Sequence, residues 1–467
     1  MRKIILLILI FIPFLAVSGC ASASQSMRDV SKRVENQTGY KLETTKKEKT
    51  ATSVPQEEPL ALESAVQLAF QNNPALKGRL EGLGVSSAEI SKARLPRNPV
   101  IEGSILYPEH GDGEITEISI EQNFLSLLLF PMKSQVAGAQ YRQLEYRLSQ
   151  ELADFAFDVK KAYYAVLAAE EKLKLRQAVL ETTDAAAELA RRQREAGNVN
   201  EFFLQNEIAI FLESKLAVAQ AQAEVNVERQ HLSDLLGFPE RRSDWKLSGE
   251  LPYIQLSDPT VDGLGKTALN DRVDLLAARK EVEIQKKNVF LSGVGIFDDI
   301  DVGYRREKEL DGERSGGPQI RAGVPIFDLG RNAVLGAGAR VRQSEYELAA
   351  LENQVISEVA RAHDRLLAAR NSVEEYNNSI IPAKSKIVEE MQKHQNYMLI
   401  GVYTLLAAKR DEINAREQYI DSLKEYWASR SELERATGRT LPLGESMKPI
   451  SAVKADKNEH SQHGGMK

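Results

Sequence analysis

The chain has 467 residues, a formal net charge of -6, 27% charged residues and only 6% aromatic residues. That balance excludes the basic stripe of a nucleic-acid binder. With a mean hydropathy of -0.35 and no apolar stretch of helical spanning length, any membrane crossing would have to be made by β-strands closed into a barrel. Abundant Ala, Glu, Leu, Gln and Arg point instead to long helices.

At the N-terminus, Arg2 and Lys3 precede an apolar run from Ile4 to Val17, and Ser18, Gly19 and Cys20 follow. A basic start, a short apolar stretch and small residues at its end read as a secretory leader over 1–19. The run falls short of the roughly 20 residues that a spanning helix needs. Val17-Ser18-Gly19-Cys20 is similar to a bacterial lipobox, in which cleavage leaves Cys20 as a lipidated N-terminus. Ala21, rather than Asp, resembles the pattern for outer-membrane sorting. Cys20 is the only cysteine, which suits an oxidising compartment. The polar stretch 20–58 is expected to be an extended linker.

Two strand-like segments, Val100 to Tyr107 and Ile115 to Phe124, flank a polar loop. No proline then occurs between Pro131 and Pro239. In that window Leu148, Leu152, Phe155, Val159, Ala162, Val166, Ala169 and Leu173 step by alternating fours and threes, which is a coiled-coil seam. The spacing predicts one helix over 132–196, on the order of 100 Å long at 1.5 Å per residue. Gly197-Asn198-Val199-Asn200 reads as its turn. A second helix returns with Leu204, Phe211, Val218, Val225 and Leu232 in one column.

The pattern then recurs 200 positions later. Gly138-Ala139, Arg142-Gln143 and Glu145-Tyr146 meet Gly338-Ala339, Arg342-Gln343 and Glu345-Tyr346. Shared heptads would match apolar columns, but not these polar pairs, so two repeats are read, 59–250 and 251–442. The second has strand-like segments at Phe297 to Arg306 and Gln319 to Phe327, and a seam of Val355, Val359, Ala362, Leu366, Ala369 and Val373. Gly401 is taken as the second turn. The offset from Gly197 is then 204, which implies one extra helical turn, and Pro382 is expected to kink the second long helix. Four strands leave two unpaired edges that hydrocarbon does not permit. Three copies would supply twelve strands, within the outer-membrane range.

Several local motifs carry a family resemblance over nearly the whole mature chain. They are Asn72-Asn73-Pro74, Arg272-Val273-Asp274-Leu275 with Ala277-Ala278, and Gly323-Val324-Pro325-Ile326-Phe327-Asp328-Leu329-Gly330-Arg331. In order and duplication they resemble the TolC-type outer-membrane factors; Gln122 through Pro131 looks more like the variant of heavy-metal-efflux members. The resemblance implies a mostly α protein with membrane β. Long helical hairpins would form a periplasmic α-barrel, and four strands per protomer would join a trimeric twelve-stranded β-barrel. It implies a passive, cofactor-free, non-enzymatic conduit working with a periplasmic adaptor and an inner-membrane transporter of the RND type. Gly197, Asn198, Val199 and Asn200, with Gly401, Val402, Tyr403 and Thr404, sit where the family's hairpin tips meet the adaptor.

The histidines show no metal-site spacing such as HExxH, and no nucleophile elbow is present. The tail 443–467 reads as solvated and disordered, with His460, His463 and Met466 as weak metal candidates. By position just past the turns, Glu207, Arg410 and Asp411 are candidates for closing the periplasmic end through carboxylate rings or Arg–carboxylate links. The family's usual gate acids lie nearer the glycine, where this chain has Ala407 and Arg410. A periplasmic adaptor would need a lipoyl-like β domain split around one hairpin. A pore-less coiled-coil lipoprotein would not need matched strand pairs. The cargo, drug or metal ion, is not legible.

Overall fold

A computed structural model describes residues 20–42, 59–93, 95–107, 109, 113–238, 245–254, 263–295, 299–324, 326–327 and 329–442, and the side chains of all of these except 20–26 and 83. The expected leader, residues 43–58 of the expected linker, and the tail with His460, His463 and Met466 lie outside the described residues.

The first half begins with α1 (Cys20–Thr38), α2 (Leu62–Asn72) and α3 (Pro74–Ala93). Strands β1 (Val100–Leu106) and β2 (Ile115–Asn123) lead through a short α4 (Phe124–Leu128) into α5 (Phe130–Glu195), and α6 (Glu201–Leu236) returns. The second half runs α7 (Leu264–Asp271), α8 (Val273–Val294), β3 (Ile300–Lys308), β4 (Arg314–Ala322) and α9 (Arg331–Glu375). A π-helical turn (Tyr376–Ile380) joins α9 to α10 (Ile381–Asn396), and α11 (Val402–Thr437) returns.

The seams fall where the spacing puts them. Leu148, Leu152, Val159, Ala162, Val166 and Ala169 of α5 are buried, as are Val355, Val359, Ala362, Leu366, Ala369 and Val373 of α9. All of these except Ala169 belong to one continuous core. At 66 residues, α5 spans about 100 Å.

Three expectations are corrected. Residues 20–38 are helical, not extended: Val30 and Val34 of α1 are buried, and Arg33 reaches Glu145 at 3.6 Å and lies over the Tyr146 ring. The apolar i,i+4 pair, with Met27, Tyr40 and Leu42 beside it, packs this polar segment against the core. The second half carries one extra residue, not an extra turn: the residue matching Gly197 is Met398, 201 positions on. Both take positive φ, 78° and 59°, and both close matching turns (Asn198 N to Gln193 O, 2.8 Å; Leu399 N to His394 O, 2.9 Å). The additional residue is absorbed in the π turn, where Ile381 N donates to Tyr376 O, five residues back. Pro382 therefore does not interrupt the helix. It lacks an N–H and crowds the carbonyl four residues earlier, and the widened turn just before it makes that room.

The strand ends of the second half also shift. Residues 307–308 and 314–317, expected in the loop for their polarity, are strand. Lys308 lies in the ladder opposite Thr116 and reaches Glu114, just before β2, at 3.7 Å.

Candidate functional site

The four strands form one antiparallel sheet in the order β1-β2-β3-β4. Paired residues share a face and alternate residues change face. One rung holds Ile101, Ile120, Tyr304 and Pro318. Ile105, Ile118, Val302 and Ile320 share that face, and all these apolar side chains are exposed in the isolated chain. The next rung holds Glu102, Ser119, Arg305 and Gly317, and the same face carries Glu117, Glu121, Asp301, Glu307 and Arg321. Arg305 pairs with Glu117, Arg321 with Glu121 at 2.9 Å and Glu102 at 4.0 Å, and Asn123 donates to Asp301 at 3.1 Å. The sheet thus has a charged face, a second face that is mainly apolar but carries Arg306, Lys308 and Arg314 at its loop end, and free edges at β1 and β4.

Below it the long helices contact one another in the order α6, α5, α11, α9. The outer members show apolar side chains on their open sides: Leu212, Leu216 and Val227 on α6, and Tyr346 and Ile356 on α9.

The hairpin ends lie at the ends of α5 and α10, away from the sheet. Asn200 Oδ1 accepts from Phe203 N at 2.8 Å, capping α6. The two ends touch: the Phe203 and Tyr403 rings meet edge-on at 4.7 Å, and Tyr403 Oη donates to Gln193 Oε1 at 2.9 Å. Burial, with the Glu207 carboxylate nearby, pushes the Tyr403 phenol above its ordinary range. Phe202 (81% exposed), Tyr397 (77%), Met398 (92%) and Leu399 (68%) project outward.

No protein-family model matches the chain. It is similar to the cobalt-zinc-cadmium resistance protein CzcC of Cupriavidus metallidurans, 21% identical over 385 residues, 82% of this chain and 90% of CzcC. Protein CyaE of Bordetella pertussis is 24% identical over 393 residues, 77% and 80% of the two chains. The CmeC outer membrane channel of Campylobacter jejuni matches in structure with a TM-score of 0.67 at 15% identity, covering 82% of this chain and 87% of CmeC. The open-state MtrE outer membrane channel of Neisseria gonorrhoeae gives 0.67 at 18%, covering 82% and 90%. The fold is that of the TolC-type outer-membrane channels.

Within this TolC-type fold the sequence-predicted residues separate. Gly197, Asn198, Val199 and Asn200 make the first turn, but Gly401 only precedes α11, with an extended ψ of 150°. Val402, Tyr403 and Thr404 are the first turn of α11. Tyr397, Met398 and Leu399 were missed because glycine is the expected owner of a positive φ; their signal was an apolar run at a loop. Asp411 lies 3.7 Å from Lys384, both partly exposed. Glu207 and Arg410 are half-buried. Next to Asp411, Glu412 was also missed. It is buried between α10 and α11, where it accepts from Ser385 Oγ (2.7 Å), Lys409 Nζ (2.7 Å) and Arg416 Nη2 (2.8 Å). Burial alone would raise its pKa, but these donors outweigh it and hold the carboxyl at about 2. Cys20 is the first residue of α1.

Proposed function

We propose that this chain is one protomer of a homotrimeric outer-membrane channel in a tripartite efflux system. It acts as a passive conduit from periplasm to exterior for small toxic compounds or metal ions. One observation carries this reading: a sheet with one face apolar below its basic loop end, one charged face and two free edges stands on helices about 100 Å long. In a barrel the apolar face meets lipid and the charged face lines water. Three copies join β4 to the next β1 and α9 to the next α6, giving twelve strands and covering the exposed apolar sides of both helices. The two halves, 59–250 and 251–442, are read as a duplication.

Cys20 is proposed as the lipid-bearing N-terminus after removal of 1–19. The tips, Gly197 to Asn200 with Phe202, Tyr397 to Leu399 and Gly401 to Thr404, offer the surface for a periplasmic adaptor, which links the channel to an inner-membrane transporter of the RND type. The likeness to CzcC makes cobalt, zinc and cadmium the first cargo ions to assay. Glu207, Arg410 and the Lys384–Asp411 pair are proposed to restrain the periplasmic end.

The test is purification from outer membranes in detergent followed by planar-bilayer recording. A trimer that runs faster unheated than heated, and that conducts, is expected. A monomer soluble without detergent after removal of the leader and Cys20 overturns the pore. Asp411→Ala is expected to raise the closed-state current, and an unchanged current removes Asp411 from the closure.

A further inference from the structure

Each long hairpin has one through-going leg and one spliced leg. The through-going legs are α5, and α9 with its π turn and α10. The spliced legs join α6 to α3 and α11 to α8, each end to end. At the first splice Gly237 takes φ 75°, and a Cβ there would sit 2.7 Å from the Asn72 backbone. Asn73 closes both helices: Nδ2 donates to the Asp234 and Leu235 carbonyls (3.3 and 3.0 Å), and Oδ1 accepts from Leu76 N (3.0 Å). That splice is neutral. At the second, Gly438 takes φ 73° against Arg272. Arg272 donates to the Ala436 carbonyl at 3.2 Å, and its guanidinium pairs with Asp274 and Glu358, each at 2.6 Å. Arg439 stands 3.6 Å from Asp271. Beside it opens a cavity of about 440 Å³, where Asp154 pairs with Arg435 at 2.8 Å and Glu432 with Arg365 at 3.1 Å.

We propose that the Arg272 splice is an ionic pivot that small ions can loosen, while the Asn73 splice is a fixed rivet. The second hairpin is then hinged at its membrane-side root and the first is not. The Arg272 guanidinium is itself buried, but its partners Asp274 and Glu358 are part-exposed and line the cavity, so added ions reach these carboxylates and weaken the pairs, whereas the Asn73 amide–carbonyl bonds carry no charge to screen. The splice chemistry stands whether or not the chain conducts.

Hydrogen exchange followed by mass spectrometry on the full-length protein in detergent tests this. Raising sodium chloride from 0.1 to 1 M shortens the screening length from about 10 to about 3 Å. The last turn of α11 should then exchange several-fold faster, while the last turn of α6 and the seam around Val159 hold. Glu358→Gln should give fast exchange at the α11 end already at low salt, with a flattened salt response. Asn73→Ala should speed the α6 end equally at both salts. Equal salt responses at the two splices, no response at either, or a Glu358→Gln protein with an intact salt response would each overturn the pivot. Glu358→Gln keeps Arg272 and its bonds to Asp274 and Ala436, so the test does not require a protein without the arginine.

Discussion

Glu412 is held ionised by Lys409, Arg416 and Ser385 at a position where burial opposes charge. Its folded pKa, about 2, lies below its unfolded value of about 4.5. The stabilisation is therefore complete above the unfolded value and is lost as pH falls from there toward 2. Protection of the α10–α11 hairpin against limited proteolysis should decline through that window in the parent chain and stay flat in Glu412→Gln; parallel curves would assign the acid sensitivity elsewhere. A second residue-scale case is Lys160–Glu434, a buried pair at 2.6 Å. Glu434 also accepts from Leu441 N at 3.2 Å, fixing the chain just past α11. Lys160→Met leaves a buried carboxylate without its cation, which costs about 3–5 kcal/mol. Thermal unfolding followed by circular dichroism should show this as a marked drop in midpoint, with most of it recovered in Lys160→Met/Glu434→Leu. A double variant no better than the single would mean that the residues act independently.

At the scale of the element, the stretch from Gly338 to Met398 is one residue longer than the matching stretch from Gly138 to Gly197, and the π turn hides that residue. A single insertion in a regular helix rotates everything beyond it by about 100°, whereas a π turn takes up the residue and keeps the face. Deleting Asn378 together with Pro382→Ala should therefore leave trimer migration unchanged. Deleting Arg365, inside the regular part of α9, should abolish it by turning Leu366, Ala369 and Val373 out of the core; equal loss in both would deny the π turn this role. The seams were legible because seven-residue spacing is a repeated signal, and the strands because one face alternates. The π turn was not, because one residue among sixty-six leaves no periodic trace. Gly401 misled because glycine marks turns by type, while Met398 accepts a positive φ only because the matched hydrogen-bonded turn imposes it. Glu412 was illegible for another reason: its partner Ser385 lies on a different helix, and only packing brings them together.

For the whole molecule, the decisive physical fact is that neighbouring residues of one strand project from opposite faces of the sheet. Ile120 shares a rung with Ile101, Tyr304 and Pro318, and Ser119 shares the next with Glu102 and Arg305. If the apolar face meets lipid in a trimeric barrel, a cation at Ile120 costs about 2–4 kcal/mol near the bilayer midplane in each protomer. That threefold burden should prevent assembly of Ile120→Lys in the outer membrane, seen as loss of the heat-modifiable trimer. Ser104→Lys, on the charged face opposite Glu117 and half-exposed, should assemble normally. The charged face it joins has five carboxylates, Glu102, Glu117, Glu121, Asp301 and Glu307, against Arg305 and Arg321. A water-filled lumen lined by that face favours cations, so the added lysine should move the reversal potential of a potassium chloride gradient toward chloride. Two variants with the same defect would mean that both faces are buried in protein, and the sheet would then not be a barrel wall. Opposite outcomes are expected because the two-residue period, not position along the strand, sets what each side chain meets.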